Sequence, residues 1–285
     1  MSSINLKPLD IKQLKIIESF INGDNIFMSG PAGTGKSYLI KIIKDLCNKH
    51  NKNCQVAALT GCAALLLECN AKTLHSWSGI NANSFDINCN LNKIKKNKKI
   101  IIWKDIDVLI VDEISMMSDK LFELLDLLGK KIRGNDKPFG GIQIIFSGDF
   151  FQLPPINKDG DEKFCFTSNK WNETFSNIHI LTKVFRQSDK EFSKLLNELR
   201  IGKIRKSSLK LLESRVIPFD KTDNVIPTII LPHKTSVENI NNREHNLLPD
   251  TKSKIFESKI IHPKASDVSN YEIQRTCELY LKNNT

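Results

Sequence analysis

Five short apolar runs punctuate this 285-residue chain, each bounded by polar or turn-forming residues. They are NIFMSG from Asn25, QVAALTG from Gln55, DVLIVDE from Asp107, IQIIFSGD from Ile142 and IHILTKVF from Ile178. Their apolar residues fall on both faces of an extended chain, the pattern expected of strands in a buried parallel sheet. Between them the period lengthens. In SYLIKIIKDLCNKH the apolar positions Leu39, Ile42, Ile43 and Leu46 recur at helical spacing. Strands alternating with helices predict a doubly wound α/β domain, with helices on both faces of one parallel sheet.

Two regions break this alternation. From Asn81 to Lys99 the chain turns polar and ends in the run KIKKNKK, which reads as a small inserted element whose lysines form a solvated face or contact phosphates. Beyond Glu213, SRVIPFDKTDNVIPT carries two prolines and few apolar residues. The organisation expected is therefore a domain over 1–213, a linker over 214–227, and the beginning of a second, incomplete domain over 228–285. In that last part TIILPHKTSVENINNREHNLL reads as a strand followed by a helix.

Charge adds a candidate partner. Lys and Arg number 42 against 32 Asp and Glu, a formal net charge of +10. That surplus suits a polyanion such as nucleic acid, though a lysine-rich solvated surface would produce it too. The seven cysteines, Cys47, Cys54, Cys62, Cys69, Cys89, Cys165 and Cys277, form no CxxC pair and meet no histidine at zinc spacing, so free, mostly buried thiols in a reducing compartment are expected. No apolar run approaches the roughly 20 residues of a membrane span. The first residues, MSSINLKPLDIKQLK, lack a signal peptide's apolar centre and are poor in Arg. A soluble intracellular protein is expected.

The chemistry-bearing residues lie at the ends of the apolar runs. In GPAGTGKS, Gly30, Gly33 and Gly35 let backbone N–H groups, including that of Thr34, turn inward around phosphate oxygens. Lys36 is placed to reach the β- and γ-phosphates and Ser37 to coordinate Mg²⁺, with a helix N-terminus behind them. DVLIVDE puts Asp112 at the carboxyl end of a buried strand, where it would hold Mg²⁺, and Glu113 beside it as a base for an attacking water. FSGDFFQLPP brings Asp149 and Gln152 to another strand end. Gln152 can sense a γ-phosphate, and Pro154 and Pro155 stiffen the segment after it. LTGCAALLLECNAKTLHSWSG gathers Thr60, Gly61, Thr73, His75 and Ser76, small or hydroxyl-bearing groups that suit a sugar–phosphate backbone, with Trp77 available either to stack on a base or to fill the core. In LTKVFRQ, Arg186 could meet developing phosphate charge.

Taken in order, GPAGTGKS, LTG…AA…TLHSW, VLIVDEISMM, GGIQIIFSGDFFQLPP and LTKVFRQ…FSKLLNELRIGK resemble the petite-integration-frequency (PIF-type) DNA helicases, in the PIF/RecD-like branch of helicase superfamily one. The resemblance runs from about Leu9 to Lys203 and continues weakly beyond. It implies a P-loop NTPase with RecA-like domains, ATP and Mg²⁺ as cofactors, and 5′-to-3′ movement on single-stranded DNA that unwinds forked or structured duplexes. It further implies a role in DNA repair, recombination or genome maintenance and a monomer when free. Family members work in nuclei, mitochondria, bacteria and large DNA viruses.

By the same resemblance Gln13 would recognise adenine, and Gly33, Gly35, Lys36 and Ser37 would hold phosphate and Mg²⁺. Asp112 and Glu113 would be the metal-holding and catalytic acids, Gln152 the γ-phosphate sensor, and Arg186 an arginine supplied across the ATP cleft. Thr60, Gly61, Thr73, His75 and Ser76 would touch DNA, and residues 81–99 would stand where relatives carry a strand-separating element. The family's HKSQG-like segment and late arginine are not found, so the expectation is a chain that stops before them, binds ATP, hydrolyses it slowly and unwinds poorly. Three other readings compete with a helicase: a RecD-like translocase subunit without independent unwinding, a P-loop kinase, and a non-catalytic DNA-binding module.

Overall fold

A computed structural model of the chain describes residues 9–81, 84–155, 163–217 and 228–248. The chain divides into two compact units, residues 1–217 and 218–285. The first unit is built on a six-stranded sheet of order β3-β2-β4-β5-β1-β6, in which every pairing is parallel. Its strands are β1 (Ile26–Ser29), β2 (Cys54–Ala58), β3 (Lys72–Thr73), β4 (Val108–Asp112), β5 (Gln143–Gly148) and β6 (Asn177–Ile180).

Among the described residues of this unit, α1 (Ile11–Ile21) precedes the sheet; α2 (Lys36–Lys49), α3 (Gly61–Leu66), α4 (Leu74–Ser78), α5 (Ile87–Lys96), α6 (Ile100–Asp105), α7 (Asp119–Arg133) and α8 (Lys170–Thr174) lie between its strands; and α9 (Lys190–Arg200) and α10 (Lys206–Glu213) follow the last strand. In the second unit, α11 (Lys234–Asn246) buries none of its residues.

The central strands are predominantly apolar because both faces of the sheet are covered. Along β4, Val108 and Ile110 face one core with α1 and α2, through Ile16, Phe20, Leu39, Ile40 and Ile43. Leu109 and Val111 face the other, with Ile94 of α5, Trp103 of α6, Phe122 and Leu125 of α7, and Trp171 of α8. Period-two alternation thus distributes one apolar run between two cores. Residues 84–105 are largely helical and anchored into the second core by Ile94 and Trp103, both fully buried.

Two expectations are corrected, for β6 and for the TIIL stretch, and β3 is an element that no apolar run predicts. β6 is an edge strand, and its Ile178 and Ile180 are 52% and 60% exposed rather than buried on both faces. β3, only two residues long, has no apolar run to mark it. The TIIL stretch from Thr228 forms no strand among the described residues, where it finds no partner for its backbone hydrogen bonds. Residues 218–227 of the expected linker and 249–285 lie outside the described residues. Six cysteines are described, all free; Cys47, Cys54 and Cys165 are buried, whereas Cys62 and Cys89 are exposed. Among the described residues no helix is long and apolar enough to cross a membrane.

The register sets the site. Ser29 pairs with Gly148, and Ala58 pairs with both Thr73 and Asp112. Ser29 pairs with Ile180 as well, so all six strands finish together, and the segments leaving them share the carboxyl edge of the sheet, where α/β folds hold ligands.

Candidate active site

The glycine turn leaves β1 and closes onto α2. Gly33 (φ +79°) and Gly35 (φ +91°) occupy the left-handed region, and neither has room for a side chain. A Cβ at Gly33 would stand 2.7 Å from Arg186 Cβ, and one at Gly35 would stand 2.6 Å from Gln13 Nε2. Gly35 caps α2 without any side-chain hydrogen bond, leaving the first N–H groups of the helix available to an anion. Thr34 is buried, and its hydroxyl donates to the Pro31 carbonyl at 2.9 Å, so its side chain braces the loop from within.

Lys36 folds back over this loop, donating to the carbonyls of Gly30 (2.6 Å) and Pro31 (3.1 Å). Burial lowers its pKa from the usual lysine value, while Asp112, Asp149 and Glu113 act in the opposite sense.

Asp112 ends β4 and is 4% exposed. Burial raises its pKa above the ordinary aspartate value, opposed in part by the nearby Ser147 hydroxyl, the Glu113 N–H and Lys36. Its Oδ1 and the nearby Ser147 hydroxyl are both buried, and neither makes a hydrogen bond of good geometry within the protein. A buried carboxylate oxygen with nothing to accept is costly. A hard divalent cation with an oxygen shell would satisfy it, so the residues present fit Mg²⁺.

Glu113 follows in a left-handed conformation (φ 56°, ψ 42°), a placement worth ~1–3 kcal/mol of strain for a residue with a side chain. Burial, and then the Asp112 charge, raise its pKa. A carboxylate shifted upward is a better proton acceptor near neutrality.

Lys36, Ser37, Asp112, Glu113, Gln152 and Arg186 all line one pocket of about 310 Å³. The sequence points to five of these as catalytic and to Ser37 as a metal ligand, and the fold brings all six together. Arg186 gets there because the Phe185 N–H donates to the Gly33 carbonyl at 2.7 Å, pinning the segment after β6 against the glycine turn. A neighbouring cavity of about 590 Å³ shares Ser37, Asp112, Glu113, Gln152 and Arg186 and extends to Thr60 and Leu66.

Gln13 sits differently from the other nucleotide candidates. It is buried beneath the glycine turn, where its Nε2 donates to the Thr34 carbonyl at 3.3 Å and its Oε1 accepts from the Asp10 N–H at 3.1 Å. The Gln13 N–H donates back to Asp10 Oδ1, so the residue is also half of the capping box of α1.

The residues chosen as DNA contacts lie along the β2–β3 side of the same edge. Thr60 and Thr73 cap α3 and α4, accepting from the N–H groups of Ala63 and Ser76, each at 3.2 Å. Gly61 and Ser76 are exposed, and His75 is half-buried, with its pKa lowered by burial and by Lys93. Trp77 is not a stacking platform: it is buried against Trp103, with ring centroids 4.9 Å apart. Lys99 donates to the Ser76 and Trp77 carbonyls and Lys93 to that of Ile80 (3.3 Å), so two lysines of the basic run fasten α4.

One pairing had no signal in a single sequence. Asp149, which is 1% exposed, is held by Arg200 from the far end of α9, 51 positions away. Arg200 Nε and Nη2 each donate to one carboxylate oxygen at 2.6 Å.

Residues 9–210 match the profile of PIF1-like helicases. The chain belongs to that family. It is 38% identical over 249 residues to the ATP-dependent DNA helicase PIF1 of Emericella nidulans, an alignment covering 85% of this chain and 33% of that protein. The crystal structure of Pif1 helicase from Candida albicans superposes with a TM-score of 0.77 at 34% identity, covering 86% of this chain and 56% of that one. Bacteroides Pif1 bound to single-stranded DNA superposes at 0.68 with 32% identity, covering 84% and 57%. The sheet is accordingly a RecA-like P-loop NTPase core. The chain spans 28–34% of the length of three curated PIF1 and RRM3 relatives that it matches.

Proposed function

We propose that residues 1–217 form the ATP-hydrolysing motor domain of a 5′-to-3′ DNA helicase, and that residues 228–285 begin a second RecA-like domain. Movement along single-stranded DNA would be coupled to unwinding of forked or structured duplexes within the cell, in repair, recombination or genome maintenance. What supports the reading is the convergence of Lys36, Ser37, Asp112, Glu113, Gln152 and Arg186 around a buried carboxylate oxygen that has no partner of its own. Relatives lend the ligands: Bacteroides Pif1 was crystallised in complex with ADP-AlF3 and single-stranded DNA, and another structure concerns forked duplex DNA and two coordinating Pif1 helicases.

In this reading the glycine turn and the first N–H groups of α2 receive the phosphates. The Lys36 ammonium leaves the Gly30 and Pro31 carbonyls for the β- and γ-phosphate oxygens. Ser37 Oγ and Asp112 hold Mg²⁺, which when bound neutralises phosphate charge. Glu113 accepts a proton from the attacking water, Gln152 orients that water against the γ-phosphate, and Arg186 stabilises charge developing on the transferred group. Gln13 acts from behind, fixing the turn through Thr34 and turning its remaining amide hydrogen to the base. Thr60, Gly61, Thr73, His75 and Ser76 line the path of the DNA strand.

ATP hydrolysis with and without single-stranded DNA, on this chain and on Glu113→Gln, tests the reading. The expected outcome is hydrolysis stimulated by single-stranded DNA and reduced ~10²–10⁴-fold by the substitution, the usual contribution of a positioned base. Phosphate appearing on a small acceptor, or turnover indifferent to both DNA and Glu113, would overturn it.

A further inference from the structure

We infer that Arg200 is a positioning residue for the γ-phosphate, acting on Gln152 through Asp149; the inference rests on the nucleotide reading above. Three contacts carry it. The first is the two-pronged ion pair in which Arg200 Nε and Nη2 take both oxygens of the buried Asp149 carboxylate at 2.6 Å. The second is the turn that this aspartate organises: the Asp149 carbonyl accepts the Gln152 N–H at 2.8 Å, and Asp149 Oδ1 accepts the Phe151 N–H at 3.3 Å. The third is the guanidinium lying over the Phe151 ring, 4.4 Å from its centroid. Arg200 therefore grips the start and the middle of the four-residue turn whose last residue is Gln152.

The geometry serves more than packing. Gln152 shares a pocket with Lys36 and Glu113, and the Asp149–Arg200 pair lines the adjoining cavity of about 220 Å³ with Pro31 and Ala32 of the glycine turn. Asp149 and Arg200 also act on the Lys36 ammonium in opposite senses, Asp149 the more strongly, so the pair lies within electrostatic reach of that lysine. Arg200 stands at the end of α9, whose start is separated from Arg186 by only three residues. One ion pair thus ties the Gln152 turn to the helix that comes after Arg186, and two groups aimed at the same phosphoryl oxygens become parts of one body. A planar, two-pronged guanidinium over a ring suits this task, and a lysine ammonium cannot reproduce it.

The test compares the affinities of a slowly hydrolysed ATP analogue and of ADP on the 285-residue chain, with Arg200→Lys, Gln152→Ala and the double variant. Arg200→Lys is expected to keep ADP affinity within about twofold and to weaken the triphosphate analogue about tenfold, the scale of one hydrogen bond to a charged group. The double variant is expected to lose no more than Gln152→Ala alone, because both changes remove the same interaction.

A merely structural ion pair would lower both affinities together, and that result overturns the inference, as does an undiminished preference for the triphosphate. Where Arg200→Lys does not fold, Asp149→Asn/Arg200→Gln, which leaves no buried unpaired charge, is read by the same criteria. If the unaltered chain binds neither nucleotide, the nucleotide reading falls and takes this inference with it. If the unaltered chain discriminates and Arg200→Lys discriminates equally, only this inference falls.

Discussion

At the scale of single residues, the site is built from groups the fold would be more stable without. Asp112 and Glu113 have pKa values raised mainly by burial, so the folded chain binds their protons more tightly than the unfolded chain does. Stability therefore falls as pH rises from the ordinary carboxylate value through the raised one, and the cost stands in full above it. Asp112→Asn is expected to raise Tm at pH 7.5, with the gain shrinking as pH approaches ~4, where the unfolded carboxylate is itself half-protonated. Thermal melts of the two proteins across that range check the sign, and a gain that grew on acidification would refute it. The identities of these residues were legible because each lies at a fixed offset from an apolar run. The roles of their neighbours were not. Gln13 and Thr34 read as facing the nucleotide, yet each spends hydrogen-bonding capacity inside the glycine turn, and the Asp149–Arg200 pair joins positions no local pattern connects.

At the scale of elements, legibility tracked burial. β1, β2, β4 and β5 are covered on both faces and are written as apolar runs, while β6, drawn from the apolar run IHILTKVF but itself alternating Asn177, Ile178, His179 and Ile180, is an edge whose isoleucines remain open. A composition rule cannot tell an edge strand from a central one, because the difference lies in what covers it. The same limit applies to α4. Its Trp77 could have been a stacking surface, but the helix turns the indole inward against Trp103, whose own Nε1 donates to the Ser78 carbonyl at 2.9 Å. Trp77→Phe is therefore expected to lower the denaturation midpoint by the equivalent of ~1–3 kcal/mol while leaving single-stranded DNA affinity within about twofold, since it removes part of a core side chain and nothing from the surface. Urea titrations paired with binding isotherms check this. Lost affinity at unchanged stability would return the ring to the DNA interface.

At the scale of the whole molecule, the surplus of ten positive charges has to be separated from the residues proposed to touch DNA. Salt weakens binding according to the number of phosphates neutralised by Lys or Arg, by about 0.7 in log–log slope per phosphate on a single strand. The proposed rim contributes almost nothing to that number. Thr60, Gly61, Thr73 and Ser76 are uncharged, and burial together with Lys93 lowers the His75 pKa, keeping the imidazole neutral at pH 7.5. Two nearby lysines, Lys93 and Lys99, are committed to carbonyls of the α4 segment. Lys72, exposed on β3 immediately before the Thr73 cap, is a cation placed to meet a phosphate. Ser76→Ala should then weaken binding at every salt concentration and leave the slope unchanged, whereas Lys72→Gln should reduce the slope by about 0.7. Isotherms with a short oligonucleotide over a salt series measure both. A slope indifferent to Lys72 would remove it from the phosphate contacts and leave any slope to other cations such as Lys95, Lys96 and Lys98, all exposed in the same basic run.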